Sequence, residues 1–249
     1  MPLATVMTEP VRLSAAAPRA DHRCGSCAAR VLSICGAMRT QDLGRLAVLT
    51  VPQQIAAGDT FIDESEPATH FFNITQGAVK VYKLLPDGRR QVTGFLFAGD
   101  LLGLAFNNAY IYSAEALTPV TVCRFPRRQL DRLLDEFPAM EKRLLAMASN
   151  ELAAAQEQMM LLGRKTALER IASLLLALAG RQERFGGEPN LVNLPMTRTD
   201  IADYLGLTTE TVSRVLTSLK KRGWIVLRGN DGVELADRDA IEELAAGSE

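Results

Sequence analysis

Apolar positions recur along this chain at two different periods. Between Pro138 and Gly163, the residues Leu145, Ala148, Leu152, Ala155, Met159 and Leu162 are spaced alternately three and four apart, which is the a/d seam of a paired helix. Proline at the start and glycine at the end match the first turn and the C-cap. The spacing therefore predicts a helix of about 25 residues and roughly 37 Å. Such a helix can lie on its own domain as an amphipathic rod. The small alanines on the seam, and the different texture on either side, favour self-pairing. Upstream, from Val51 to Thr121, short alternating or apolar runs (FFNI, AVKVYKLL, QVTGFLF, and then VTVCRF) are separated by Gly58-Asp59, Glu66-Pro67, Gly77, Asp87-Gly88 and Gly99-Asp100. Turn signals about every ten residues predict an all-β sandwich or roll. Pro86-Asp87-Gly88 is its clearest hairpin.

Downstream the helical period returns. Thr166 to Ala179 is apolar nearly all round and predicts a buried helix, followed by the linker RQERFGGEPN. In TRTDIADYLGLTTETVSRVLTSLKKRGWIVLRGNDGVEL, a helix from Asp200 is broken by Gly206, and a second opens at Thr208 and runs to about Arg222. Trp224–Leu227 and Gly232–Leu235 flank a Gly-Asn-Asp-Gly turn and read as a two-stranded wing. A weak final helix starts at Arg238, and Gln41–Leu49 and Arg127–Phe137 are short helices. The first 20 residues are Ala- and Pro-rich without period, so a disordered arm is expected. The reading is an α+β chain: arm 1–20, cysteine segment and β-roll sensor 21–137, dimerisation helix 138–164, and a winged helix-turn-helix over 165–249.

Composition narrows this little. A chain of 249 residues, 47% hydrophobic and 23% charged, can bury the cores of two domains. The net charge of −1 gives no overall basic field, so a DNA contact must be local. Between 190 and 225 there are five basic residues against three acidic ones, and Lys220, Lys221 and Arg222 sit together. The most apolar run, Ile171–Ala179, is too short to span a membrane. Glu9, Pro10 and Arg12 interrupt the N-terminus as a signal peptide. A cytoplasmic location follows as the expectation, and there thiols stay reduced.

The second helix of a helix-turn-helix lies in the major groove with its first turns at the base edges. Glu210, Ser213 and Arg214 stand at i, i+3 and i+4 and share one face, while Val212, Val215, Leu216 and Leu219 form the other. Arginine can bond guanine O6 and N7, glutamate can accept from cytosine N4, and serine serves base or phosphate. Glu210 and Arg214 can also pair with each other. Arg198, Thr199, Thr208 and Lys220 are candidate phosphate contacts. A dimer predicts an inverted repeat with half-sites about 34 Å apart.

Four cysteines need an explanation other than disulfides. Cys24-x2-Cys27-x7-Cys35 with a distant Cys123 offers four thiolates, enough for tetrahedral zinc or an iron–sulfur cluster. Three clustered and one remote lean towards a cluster, yet spacing leaves both open, and Cys123 in VTVCRF could be a buried hydrophobe. His22 and His70 are too scattered for a rival site. A zinc or thiol-redox regulator, or an iron–sulfur redox protein, are the competing functions. Against an enzyme, the chain has no Gly-rich cofactor loop, no Ser/His/Asp set and no catalytic carboxylate pair.

After about residue 20 the chain resembles the Crp/Fnr family of bacterial transcription regulators, specifically its oxygen-sensing FNR branch. The likeness rests on the cysteine set, QVTGFLFAGDLLG, TPVTVCRFP and MTRTDIADYLGLTTETVSRVL. It implies a β-roll like that of cyclic-nucleotide-binding domains. Cys24, Cys27, Cys35 and Cys123 would hold an oxygen-labile [4Fe–4S] cluster. Glu210, Ser213 and Arg214 would read a TTGAT-like half-site in double-stranded DNA, and the cluster would promote binding of the homodimer at anaerobic genes. The hairpin carrying Lys83, Asp87, Gly88 and Arg89 would touch RNA polymerase. The x7 gap resembles the alphaproteobacterial type. Two departures matter. Where cyclic-AMP sensors of the family carry an Arg-Ser pair, this chain has Tyr112-Ser113, so a nucleotide phosphate would lack its charge partner and no cyclic nucleotide is expected. Oxygen-switching relatives can carry an acid at the position of Ala155; its absence implies a dimer that persists after cluster loss, with control through domain orientation.

Overall fold

A computed structural model of the chain describes residues 23–247 apart from 104, 106, 107, 185 and 230. The expected arm over 1–20, and His22, lie outside the described residues. The cysteine segment is a series of short 3₁₀ turns, Ala28–Val31, Ile34–Ala37 and Thr40–Asp42, running into helix α1 (Leu43–Leu49). Strands β1 (Val51–Ile55), β2 (Thr60–Ile62), β3 (His70–Gln76), β4 (Ala78–Leu84), β5 (Arg90–Phe97), β6 (Leu101–Leu102), β7 (Ser113–Ala116) and β8 (Val120–Pro126) follow. They form two antiparallel sheets, ordered β1-β8-β3-β6 and β2-β7-β4-β5. Helix α2 (Arg127–Glu136) leads into the long α3 (Pro138–Arg164). The C-terminal part comprises α4 (Ala167–Arg184), β9 (Leu191–Asn193), α5 (Arg198–Leu205), α6 (Thr209–Lys221), β10 (Ile225–Arg228), β11 (Gly232–Leu235) and α7 (Arg238–Ala246).

Strand alternation decides which residues meet. Phe72 and Ile74 of β3, with Val120 and Val122 of β8, fill the roll between the sheets. Their neighbours Phe71 and Phe125 point to the opposite face and pack with Ile34, Met38, Leu43, Leu46, Leu130, Leu133 and Met140. The outer face of one sheet thus becomes the floor on which the cysteine segment, α1, α2 and the start of α3 assemble. Gly99 is needed here. Its φ is +96°, and a Cβ would stand 2.7 Å from Leu32 Cβ, so only glycine lets the segment lie this close.

Helix α3 is buried near its ends, at Met140 and Leu161, and open between them. Leu145, Leu152 and Met159 are 68%, 62% and 70% exposed in the single chain. Ala155 is exposed and Ala148 half-buried. Leu162 departs from the expected seam, because at the last turn it packs against the core of the C-terminal domain. Gly163 is not the C-cap. The helix continues through it to Arg164 and stops where Lys165 becomes extended, with Lys165 N–H on Leu161 O.

The linker expected after Ala179 starts later than its sequence suggests, since α4 continues through Gly180 to Arg184. The wing has three strands rather than two, ordered β10-β11-β9, with Val192 opposite Val233. Ile171, Leu175, Leu205, Val212, Leu219, Ile225 and Ile241 are buried in one C-terminal core. This domain docks on the roll through Phe95, Phe97 and Leu117, and the rings of Phe95 and Tyr204 are 5.0 Å apart.

Candidate functional site

The four cysteines, far apart in sequence, line one cavity of about 260 Å³. The alternation of β8 puts Val122 in the roll and turns Cys123 outward, beside Thr121 and Phe125. Cys24, Cys27 and Cys35 are brought over it by the 3₁₀ turns. Arg23 ties the segment to the end of α1 through Ala47 O at 2.6 Å and the Thr50 carbonyl. Ser33 caps the second turn by accepting from Cys35 N–H. Burial pushes the Cys35 thiol up to about 12 and Cys123 to about 11, and the neighbouring cysteines add to both. Cys24 is raised for the same reason, against the pull of Arg23. Burial makes the thiolate forms of Cys24, Cys35 and Cys123 costly, so a cationic metal centre is what would keep them deprotonated. Among the described residues no group of three or more His, Cys, Asp or Glu side chains is arranged to hold a single metal ion. The thiols instead surround a space.

The segment between Cys27 and Cys35 is bound directly to the long helix. Arg143, one turn and a half into α3, donates from Nε to Ser33 O at 2.8 Å and from Nη2 to Val31 O at 2.7 Å. Ile34 and Met38 share a core with Met140. The segment and the first turns of α3 thus form one packed unit, which ends just before the exposed stripe begins at Leu145.

At the far end, Thr197 and Asp200 close a capping box on α5, and Gly206 turns the chain at φ +63° into α6. Thr208 caps α6 by accepting from Thr211 N–H at 3.1 Å. Glu210, Ser213 and Arg214 share one face of α6 with Thr217, Ser218 and Lys221. Arg214 Nε lies 3.7 Å from Glu210 Oε1, both side chains being mostly exposed; such a pair is weak and leaves both free for another partner. Thr199 and Lys220 are exposed, while Arg198 is half-buried and its guanidinium lowered by burial. On the β4–β5 hairpin, Lys83 pairs with Glu64 at 2.6 Å, and Asp87 is held below the usual carboxylate range by Arg89. Gly88 has φ +85° in the turn between them.

A buried charge network joins roll to reader. Lys80 Nζ lies 2.8 Å from both Glu115 Oε1 and Asp200 Oδ1, and Arg90 reaches Asp200 at 3.0 Å and Asp203 at 2.9 Å. Burial raises the Asp200 carboxyl, but hydrogen bonds from Lys80 and Thr197 outweigh it and leave the group below its ordinary value. In the roll, Tyr112 is driven up to about 12 by burial, its oxygen accepting from Gly103 N–H at 2.9 Å, and Ser113 Oγ accepts from Glu64 N–H at 3.0 Å. Sequence reading missed Arg143, Asn73 and this network. A lysine amid the apolar run AVKVY, and an asparagine amid FFNI, were the available signals.

A β-roll, a long helix with an open apolar stripe and a winged helix-turn-helix together define a ligand- or cofactor-controlled DNA-binding regulator. Residues 52–137 match the cyclic nucleotide-binding domain and residues 169–244 the Crp-like helix-turn-helix domain. The chain belongs to the Crp/Fnr family of transcription regulators, on its FNR-type branch, and is not an enzyme. It is 40% identical over 225 residues to the nitrogen fixation regulation protein FixK of Bradyrhizobium diazoefficiens, covering 90% of this chain and 94% of that one. To the transcriptional activator protein FnrL of Cereibacter sphaeroides it is 37% identical over 232 residues, covering 92% and 94%. The solved structure of FixK2 from Bradyrhizobium japonicum superposes with a TM-score of 0.73 at 36% identity, over 78% of this chain and 96% of that one. Regulators of this family bind DNA and dimerise. No described helix is long and apolar enough to cross a membrane.

Proposed function

We propose that this protein is an oxygen-responsive transcription regulator. In this reading Cys24, Cys27, Cys35 and Cys123 hold a [4Fe–4S] cluster that promotes binding of the homodimer to an inverted TTGAT-like repeat. The observation that carries the reading is the convergence of all four thiols on one cavity beside the start of α3. A lone zinc needs its sulfurs about 2.3 Å from a single point. Four thiols walling a cavity of about 260 Å³ leave room for a larger polynuclear core.

When bound, the cluster supplies a metal–sulfur core that oxygen can dismantle. The protein's residues do the rest. Ligation from both Cys35 and Cys123 pins the segment to β8. Arg143 and Met140 then register the segment's position on α3. Release of the thiols lets residues 24–37 loosen, the paired geometry along Leu145, Ala148, Leu152, Ala155 and Met159 is favoured less, and the reader's population shifts away from the DNA-binding arrangement. Glu210, Ser213 and Arg214 read bases, and the 83–89 hairpin faces solvent where RNA polymerase could touch it. Tyr112, standing where a phosphate would need a cation, speaks against a cyclic nucleotide in the roll.

Iron, acid-labile sulfide and DNA affinity, measured on anaerobically purified protein before and after air, test the reading. Matched iron and sulfide, both lost on exposure as affinity for the inverted repeat falls, are expected. Cys123→Ser should abolish cluster and anaerobic binding while leaving the fold. Colourless protein with stoichiometric zinc overturns the proposal.

A further inference from the structure

We infer that Asn73 is a hydrogen-bond donor to the sulfur of the proposed cluster site and sets how fast oxygen attacks it; this rests on the cluster reading above. Asn73 sits in the middle of β3 between Phe72 and Ile74, a place where asparagine is disfavoured. It is 2% exposed. Its Cα partner across the sheet is Cys123, and the two side chains line the same cavity. Directly opposed residues on one face hold their Cβ atoms about 5 Å apart. Yet its Oδ1 is buried with no hydrogen-bond partner, and its amide nitrogen makes no hydrogen bond among the described residues. A buried amide kept only for the fold would be spent on a neighbour. Its other neighbours on this face offer no explanation, since Thr75 spends its hydroxyl on Thr121 O.

What the cavity would contain resolves this. A half-turn about the amide torsion exchanges oxygen and nitrogen, so either can face the cavity. The –NH₂ then donates to an electron-rich sulfur, the Cys123 thiolate or a sulfide of the core. Hydrogen bonds to sulfur are one of the features that set the potential of such centres, because they favour the state with more negative charge on sulfur. Oxidation takes one electron from the core, with dioxygen as the acceptor leaving as superoxide. Asn73 opposes that loss.

The test uses the full chain as wild type, Asn73→Leu and Asn73→Ala, purified anaerobically. Iron and sulfide content, the rate at which visible absorbance bleaches at fixed dissolved oxygen, and the melting temperature of each apoprotein are measured. Both variants should bleach about tenfold faster, the factor expected from losing one hydrogen bond to a charged group. The Asn73→Leu apoprotein should melt no lower than wild type, because the orphaned polar atom is gone. Variants that fold like wild type but take up no cluster would also support the contact. Wild-type bleaching rates in fully loaded variants overturn the inference and leave the cluster reading standing. So does a fall of several degrees in both apoprotein melting temperatures with unchanged bleaching. Wild-type protein without iron and sulfide removes the cluster reading itself.

Discussion

The C-terminal reader and the N-terminal half of this chain satisfy their polar and apolar groups by different means. In the reader, Ile171, Leu175, Leu205, Leu219, Ile225 and Ile241 bury one another. The first helix-turn-helix helix ends in matched caps, a Thr197–Asp200 box and a left-handed Gly206. Among its described residues, the polar face of α6 that carries Glu210, Ser213 and Arg214 is left open to solvent. The N-terminal half leaves two things unfinished. One is a cavity walled by four thiols, of which burial pushes Cys24, Cys35 and Cys123 upward. The other is a stripe along α3 whose leucines and methionines stand in solvent. The reader is a fixed tool, and the parts that need another body, a metal centre or a second copy, are where control can enter.

The sharpest way to break this comparison is Leu152→Glu. Leu152 is exposed in the single chain at the middle of the seam, so a carboxylate there costs the monomer little but sets two like charges face to face in a dimer. Sedimentation should report a monomer, and affinity for the inverted repeat should drop about a thousandfold as the second half-site ceases to bind intramolecularly. The reader's thermal transition should not move. A variant that remains dimeric would show that the exposed stripe is not the pairing surface.

The same contrast explains what could be read from the chain before its structure. Periodicity gave both halves of the fold, because a 3.6-residue stripe and a two-residue alternation are local properties. Even the outward turn of Cys123 is implicit in VTVCRF, where Val122 and Phe125 cannot share a face with each other. Three-residue β9 was invisible, since Leu-Val-Asn is too short for any period and its partner β11 lies about forty residues on. Leu162 kept the seam's spacing while its last turn was claimed by the reader's core. Gly163 looked like a stop because glycine usually is one at a helix end, but nothing here required a left-handed residue. The cysteine spacing gave the donors without the cavity. The Lys80–Asp200 pair could not be foreseen, because its partners are 120 residues apart and belong to different domains.

That pair is the joint between the two halves and gives an intermediate effect. Lys80→Met keeps the volume but leaves Asp200 buried with Arg90 as its remaining cation and Thr197 as its hydrogen-bond donor, and removing one partner of a buried pair costs about 3 kcal/mol. Melting of the full chain at pH 7 should show the loss. Acidity supplies a sign check. In the wild type the folded pKa of Asp200 lies below its ordinary value, so its contribution is fully present above the unfolded value near 4. It is lost as pH falls through the folded value. Without Lys80 the pull downward is weaker against the same burial, so the folded pKa rises and Asp200 takes up a proton at higher pH than in the wild type. The deficit of Lys80→Met should therefore narrow as pH falls from 7. A constant deficit would mean that Lys80 acts by packing alone.

The smallest effect falls within the closed half, at Thr208. Its hydroxyl accepts from Thr211 N–H at 3.1 Å and lies 2.9 Å from the Thr211 hydroxyl, so it is an N-cap in the free protein as well as a candidate phosphate contact. The two roles separate cleanly. Thr208→Ala should cost about 1 kcal/mol of reader stability, the usual loss for a cap, while Thr208→Ser should restore nearly all of it. On DNA, Thr208→Ala should weaken all sequences alike. It should leave the dependence of affinity on salt unchanged, because a neutral hydroxyl releases no counterion. Lys220→Ala provides the contrast: affinity falls, and the slope of log affinity against log salt becomes shallower by about 0.9 for each phosphate the lysine no longer neutralises. A shallower slope for Thr208→Ala would show that losing the cap displaces cationic side chains from the backbone, so that the reading helix depends on its first turn for position. An unchanged slope keeps the reader rigid and leaves all adjustment to the half of the molecule that is open.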